Sequence, residues 1–467
     1  MASFNWFTRH HAAPIDRIPV ELLAEIMIIA LPHFNFARHN WYFHGEIKWR
    51  DTLRLAGVSS RWKQVAENTP YLWSRFRLTG IRPGKSKAKE LLMKTWISRA
   101  RAVPLSLSVD LSWGSTNKLN MRCLNFLKDN LHRCQHLQVK APAHVISALI
   151  HGSFPQLETV RLLPCDRGFD PTLRDVSLCS TAPRMQLIRL ESITSDFNVK
   201  SFSWSGITEL VLDIGSEAFV PYMAMLAECT NLHVLRVTMA QLIEEDVLPW
   251  LRRVDRPRPR YEKLHTIEVD APGSYCDFSF FVAWLFAPSL RRLKLCGCVM
   301  LYPDLIKMIP RDGCMLEELI VDQYGSEPFE SEEEHLLRFF ESLPDLRRLE
   351  ICGITDAFRA DIIKRLTFKP GRNDCLLKKL ESLKIYWLGG YAGYWDIQLM
   401  LESRIRLGKG TQVAQLEDAE ITMRCYTQKH HWRLGDNGKI WHDGYFIHGG
   451  GQWLSGFVAD RRPVDED

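Results

Sequence analysis

The chain has 467 residues, 46% of them hydrophobic and 25% charged, enough for two or three domains around a large core. Its 60 basic and 55 acidic residues leave a formal charge of +5, too mild an excess to argue for nucleic acid. Met1 to His11 lacks the apolar stretch of a secretory leader, and the longest apolar run, Ile26 to Leu31, is too short to cross a bilayer. The expectation is a cytoplasmic or nuclear protein, not held at a membrane, whose twelve cysteines are reduced thiols.

In chain order, the first pattern is helical. Pro19 suits the first position of a helix, where its missing N–H costs nothing. Glu21 follows in the first turn, where the macrodipole favours a carboxylate. From Val20 to Leu31 only Glu21 and Glu25 are polar, so this helix needs cover on more than one side. A second apolar pattern runs through Leu53, Leu55, Ala56 and Val58. Ser59 and Ser60 are good caps for a third helix over Arg61 to Ala66, and Thr69-Pro70 stops it. Three short helices in about sixty residues carry more apolar surface than so small a core can hide.

The series Ile18-Pro19-x-Glu21-Leu22-Leu23-x-x-Ile26, then Leu55-x-x-Val58-Ser59-x-x-Trp62-x-x-Val65-Ala66, then Pro70-Tyr71-Leu72-Trp73 resembles an F-box, in the form common in fungal proteins. The resemblance covers residues 14–78 and implies docking on the Skp-type adaptor of a cullin–RING ubiquitin ligase. Carried over by motif position, the adaptor-binding residues are Ile18, Pro19, Leu22, Leu23, Ile26, Leu55, Val58, Trp62 and Val65, some of them shared with the module's own core. The segment Pro32 to Lys48 is longer than a minimal connection between the first two helices. The plainer reading is a helical cap that seals a larger domain.

Residues 79–103 form a basic linker. Leu91, Leu92, Thr95, Trp96 and Ala100 keep roughly helical spacing there, which predicts one packed helix. Gly84-Lys85-Ser86 is similar to the end of a phosphate loop, but Thr79 stands where its first glycine belongs. A solvated basic face accounts for the segment.

Residues 104–425 repeat the template apolar-x-x-apolar-x-apolar. The copies are Leu157-Val160-Leu162, Met185-Ile188-Leu190, Ile207-Leu210-Leu212, Leu232-Leu235-Val237, Leu264-Ile267-Val269, Leu290-Leu293-Leu295, Leu316-Leu319-Val321, Leu346-Leu349-Ile351 and Leu380-Leu383-Ile385. A weaker copy, Cys134-Leu137-Val139, and the strand-like Leu105 to Leu111 precede them. The last two apolar positions alternate, so one short strand buries both on one face. Helical patterns fall between the copies, over Glu217 to Cys229, Asp277 to Phe286, Asp304 to Ile309, Glu332 to Leu343 and Asp356 to Leu366. Three residues beyond each copy, small or apolar types such as Cys165, Gly215, Pro272 and Cys298 suit a buried turn. Here the sequence is similar to irregular leucine-rich repeats. The expected fold class is therefore α/β: a three-helix F-box-like module, then a curved leucine-rich-repeat solenoid with strands on the concave face and helices on the convex face. Cys296-Gly297-Cys298 is read as packing rather than a metal pair. The loop Leu251 to Arg260, with its five arginines and two prolines, is read as solvated.

Residues 426–467 form a C-terminal cap and tail. Trp432 to Trp441 predicts a hairpin around Asp436-Asn437-Gly438. His430, His431, His442 and His448 invite a metal, but adjacent histidines on a strand point to opposite faces. Neither a metal nor a cofactor is expected. Nor is an enzyme, since the common nucleophile, zincin, phosphate-loop and dinucleotide motifs are missing.

The strand residue between the two buried positions should face outward. Along the stack it reads Arg161, Arg189, Val211, Arg236, Glu268, Lys294, Ile320, Glu350 and Lys384. The neighbouring row includes Glu191, Asp213, Asp270, Asp322 and Tyr386. These rows predict a face that binds a protein segment, with Arg161, Arg189 and Arg236 meeting its acidic part and Lys294, Lys384 and Tyr386 beside them. The competing expectation is that the rows neutralise each other as cross-strand pairs. Together the two resemblances imply a substrate-receptor subunit of a Skp–cullin–F-box ligase with an unspecified protein substrate; the alternative is a ligase-independent repeat scaffold.

Overall fold

The computed structural model describes residues 14–31, 49–79, 86–111, 118–150, 152–165, 182–191, 204–214, 219–239, 259–271, 279–297, 302–322, 332–352, 360–372, 374–387, 394–405, 407, 411–425, 428–435, 439–446 and 452–459. The chain divides into two compact units, one of residues 1–191 with 196–203, the other of residues 192–195 with 204–467. Both belong to the mixed α/β class.

The first unit begins with three helices, α1 (Val20–Ala30), α2 (Trp49–Ala56) and α3 (Ser60–Glu67). Pro19 occupies the N-cap of α1 rather than its first turn, and Glu21 lies in that turn. The Ser59 side chain caps α3 by accepting from the Trp62 N–H at 3.2 Å. Arg61 on α3 donates to the carbonyls of Ile15 and Ile18, which fixes how the chain enters α1. A 3₁₀ turn over Pro70–Trp73 then leads into β1 (Arg75–Thr79), a strand that the helical reading of residues 14–78 does not anticipate. The linker's packed helix is α4 (Ser86–Arg99).

β1 is the first of five parallel strands, followed by β2 (Leu105–Asp110), β3 (Cys134–Ala141), β4 (Thr159–Pro164) and β5 (Leu187–Glu191). Tryptophans join the helical module to this sheet. Trp96 of α4 meets Trp73 edge-on, with ring centroids 4.7 Å apart, and donates to the Arg75 carbonyl at 2.9 Å. Trp73 donates to the Ala66 carbonyl at 2.7 Å, while the Arg99 guanidinium lies over its ring and pairs with Glu67. Residues 14–78 thus share one core with the first repeat strands.

In the second unit β6 (Glu209–Ile214), β7 (Val234–Met239), β8 (Thr266–Asp270), β9 (Arg292–Cys296), β10 (Glu318–Asp322), β11 (Arg348–Cys352), β12 (Ser382–Trp387) and β13 (Asp418–Cys425) run parallel, each beside the next. The register is constant: Leu210, Leu235, Ile267, Leu293, Leu319, Leu349 and Leu383 stand side by side. Every apolar position of the nine sequence copies is buried. Helices lie between the strands at Phe219–Glu228, Ser279–Trp284, Tyr302–Asp312, Glu332–Glu341 and Ala360–Leu366, close to their predicted spans. A further helix, Tyr394–Ile405, and β13 are not anticipated. β13 follows the same template, Leu416-Ala419-Ile421, with alanine weakening the apolar signal.

After β13 the sheet turns antiparallel. β14 (Gln428–Leu434), β15 (Ile440–Phe446) and β16 (Gln452–Ala459) pair in succession. The predicted hairpin is β14–β15, although its turn lies outside the described residues. Among the described residues no helix is long and apolar enough to cross a membrane. The phosphate-loop-like Gly84-Lys85, the loop 251–258, Cys298, His448 and most of the predicted buried turn positions also lie outside the described residues; Cys165 is half-buried.

Candidate functional site

Two surfaces carry the candidate residues. The first is the helical module. On α1, Leu23 and Met27 are fully buried at i, i+4 spacing. Leu22, Ile26 and Ile29 stand one position aside at i, i+4, i+7 and remain 56%, 44% and 69% exposed. Pro19, Val20 and Val58 are exposed as well. Ile18 and Leu55 are half-buried, whereas Leu23, Trp62 and Val65 belong to the module's core. The motif positions therefore split, as a dual-purpose helix requires: Leu23, Trp62 and Val65 hold the module together, and Pro19, Leu22, Ile26 and Val58 face outward. The adaptor-binding residues carried over from the motif leave out Val20, Ile29, Leu53 and Tyr71, which are also exposed. The apolar excess of α1, broken only by Glu21 and Glu25, was the signal that finds Val20 and Ile29. Covering an exposed aliphatic side chain of this size gains up to about 1.5–3 kcal/mol before association costs are met.

The second surface is the outward face of the strands. Here the expectation for Arg161 and Arg189 is corrected. Both are buried, 4% exposed, and both donate to Oε1 of Glu191, itself 1% exposed. Alternation assigns a side chain to a face but does not say whether that face is covered. In β2 and β5 it is, since five consecutive strand residues are buried in each. Burial pushes the Glu191 carboxyl up although both guanidinium groups pull it down, and burial likewise lowers Arg161. This is a costly internal network, closed to a partner segment.

In the second unit the face opens. Burial alternates cleanly along β9 and β10, and Arg236, Lys294, Lys384 and Tyr386 are partly exposed. The outward row runs Arg236, Glu268, Lys294, Ile320, Glu350, Lys384, Glu420 from β7 to β13. Much of it is paired across strands. Arg236 bridges Glu209 and Glu268, Arg292 bridges Glu268 and Glu318 at 3.8 and 3.6 Å, and Lys384 lies 3.4 Å from Asp418. Tyr386 donates to Glu420 at 2.9 Å. Burial, and then that carboxylate, raise its phenol. Cross-strand neutralisation thus accounts for Arg236, each such pair contributing a few tenths of a kcal/mol to about 1 kcal/mol. Over β10–β13 the face dips into a depression of about 370 Å³ lined by Glu318, Ile320, Arg348, Glu350, Glu381, Lys384, Glu417 and Asp418, among others.

The described histidines of the C-terminal strands divide between two contacts. His430 Nδ1 lies 3.1 Å from His442 Nε2, and their rings stack at 5.4 Å. His431 turns away to Glu420 at 3.3 Å, as adjacent strand residues must. Among the described residues no three potential ligands gather. Burial pushes the thiols of Cys134 and Cys352 up to about 12 and that of the half-buried Cys296 up to about 11, which disfavours the thiolate. No disulfide forms among the described cysteines.

Burial also holds His136, His265 and His430 below the ordinary imidazole value, with His233 and Arg291 adding to the effect at His265. As pH falls through about 6.5, the unfolded chain takes up these protons before the folded chain does. Stability is therefore lost from about pH 6.5 downward and levels off once the lowered folded-state values are passed. Urea midpoints measured between about pH 7 and pH 5 should fall accordingly. A flat profile would mean that the three imidazoles protonate equally well in both states.

No protein-family model matches the chain, and no curated protein matches it.

Proposed function

We propose that the chain is a substrate-receptor subunit of a Skp–cullin–F-box type ubiquitin ligase. The N-terminal helices dock on the Skp-type adaptor, and the strand face of the second unit takes the protein substrate. The observation that carries this reading is the exposed row Leu22, Ile26 and Ile29 on α1, backed by Val58, over a core of Leu23, Met27 and Trp62. The constant strand register, with a helix between successive strands, supports the leucine-rich-repeat reading of the second unit. Such a subunit supplies proximity: it holds a substrate lysine near a charged conjugating enzyme and performs no bond chemistry itself.

The second reading is a ligase-independent scaffold whose helices only cap the repeats. It is favoured by the Trp73–Trp96 contact, which joins the module to the sheet as a cap requires. Co-expression with a Skp-type adaptor separates the two. The native chain should co-purify stoichiometrically, and Leu22→Asp/Ile26→Asp should lose at least about a hundredfold in affinity, the scale of two hot-spot positions. Both side chains are exposed, so circular dichroism of the variant should be unchanged. A well-folded native chain that ignores the adaptor would leave the scaffold.

A further inference from the structure

The open sheet face has a sign. Over β6–β9 its carboxylates find enough cations: Arg236, Arg292 and Lys294 stand beside Glu209 and Glu268. Over β10–β13 they do not. The depression there is lined by five carboxylates, Glu318, Glu350, Glu381, Glu417 and Asp418, against two cations, Arg348 and Lys384. Three of the five are engaged, Glu318 with Arg292, Glu381 with Arg347 and Asp418 with Lys384. Glu350 and Glu417 form no ion pair among the described residues. From this we infer that the face of β10–β13 docks an extended, cationic protein segment carrying Lys or Arg at alternate positions.

Geometry selects that occupant over other cations. Glu318, Glu350 and Asp418 lie on β10, β11 and β13, and Glu381 and Glu417 just before β12 and β13, with neighbouring strands about 4.8 Å apart. These carboxylates do not converge, and among the described residues no three potential ligands meet around a point, which disfavours a divalent ion. From β10 to β13 the face spans about 14 Å, and an extended chain crossing it places every second side chain about 6.6 Å further on. Positions i, i+2 and i+4 of such a chain therefore match the run from Glu318 and Glu350 to Glu417 and Asp418. Ile320, half-exposed in the floor, offers an apolar contact to the segment's stem carbons. A polyanion, nucleic acid included, meets the wrong sign. This assigns a partner class to the substrate face proposed above and rests on that reading; it also drops the acidic part of the segment expected from the sequence, because two of the three arginines meant to receive that part are buried.

The test uses the full chain and a short fluorescent peptide with lysines alternating with serines. Fluorescence anisotropy should show binding that weakens as salt rises. Glu350→Lys/Glu417→Lys should weaken it by about tenfold or more, and Glu350→Gln/Glu417→Gln by less. Glu334→Lys, on the helix Glu332–Glu341, should leave it unchanged. The Gln pair keeps side-chain volume, so a folding defect in the Lys pair does not remove the test. Absence of binding by the native chain, equal binding by the reversed variant, or equal binding of a peptide with the same lysines in one block would each overturn the inference. So would spermine competing as well as the peptide, which would make the face a polyamine site. Adaptor co-purification is scored in parallel. Peptide binding without adaptor binding would sink the ligase reading and keep the groove; adaptor binding without peptide binding would do the reverse.

Discussion

Trp96→Ala should destabilise the first unit by about 3–5 kcal/mol, the range for deleting a large buried aromatic side chain. The indole is 1% exposed and touches both the 3₁₀ turn and β1. It meets Trp73 at 4.7 Å and Phe76 at 6.1 Å, and its N–H satisfies the Arg75 carbonyl at the start of β1. Alanine leaves a cavity and also strands that carbonyl, a loss of about 1–3 kcal/mol by itself if water stays out. Trp96→Phe keeps most of the packing, so it should cost about 1 kcal/mol or a little more. Urea denaturation followed by circular dichroism measures both. If the alanine variant lost less than about 1 kcal/mol, α4 would not be the tie between helical module and sheet. The adaptor assay adds a second readout, because a loosened module no longer presents Leu22 and Ile26 on a fixed support.

Glu191→Leu should be nearly as damaging, about 3–5 kcal/mol, for an electrostatic reason. It removes the carboxylate that Arg161 and Arg189 share and leaves two guanidinium groups buried beside each other. Arg161→Met in the same background relieves part of that repulsion. The double variant should therefore be less destabilised than the sum of the single losses, with a coupling of about 1–3 kcal/mol. Strict additivity in the cycle would mean that the two side chains act independently, against the geometry.

How far these features were legible in the sequence depends on the kind of signal. The strand positions were plain, because burial in a repeated parallel strand requires the same two alternating apolar residues each time, and each copy repeats the test. Leu293 and Leu295 could be placed beside Leu319 and Val321 from spacing alone. The α1 motif was legible as apolar excess, but the split between Leu23 inside and Leu22 outside needed the position of α3 and Trp62. The fate of Arg161 and Arg189 was not legible, since what covers a sheet face is set by distant segments rather than by local alternation. Arg404 is the extreme case. It is fully buried and donates to the carbonyls of Leu366, Leu376 and Leu377, with Leu377 held at φ +48°. A charged residue on a helix ordinarily reads as solvent-facing, and it is the carbonyls met at that irregular turn and at the end of the helix Ala360–Leu366 that explain its burial.

The order of the strands has a consequence for how the protein is made. Partners on neighbouring parallel strands of the second unit lie only 25 to 36 residues apart in a chain of 467. Each parallel strand needs just its predecessor as a template, so docking proceeds in the direction of translation. At about 5–20 residues per second a ribosome delivers one strand with its helix every few seconds, whereas closing a loop of that length takes well under a millisecond. The growing array is therefore never more than about one repeat behind synthesis, and its newest strand is the advancing sticky edge. That edge moves along the chain from β6 to β13 until the three antiparallel strands arrive and end the succession.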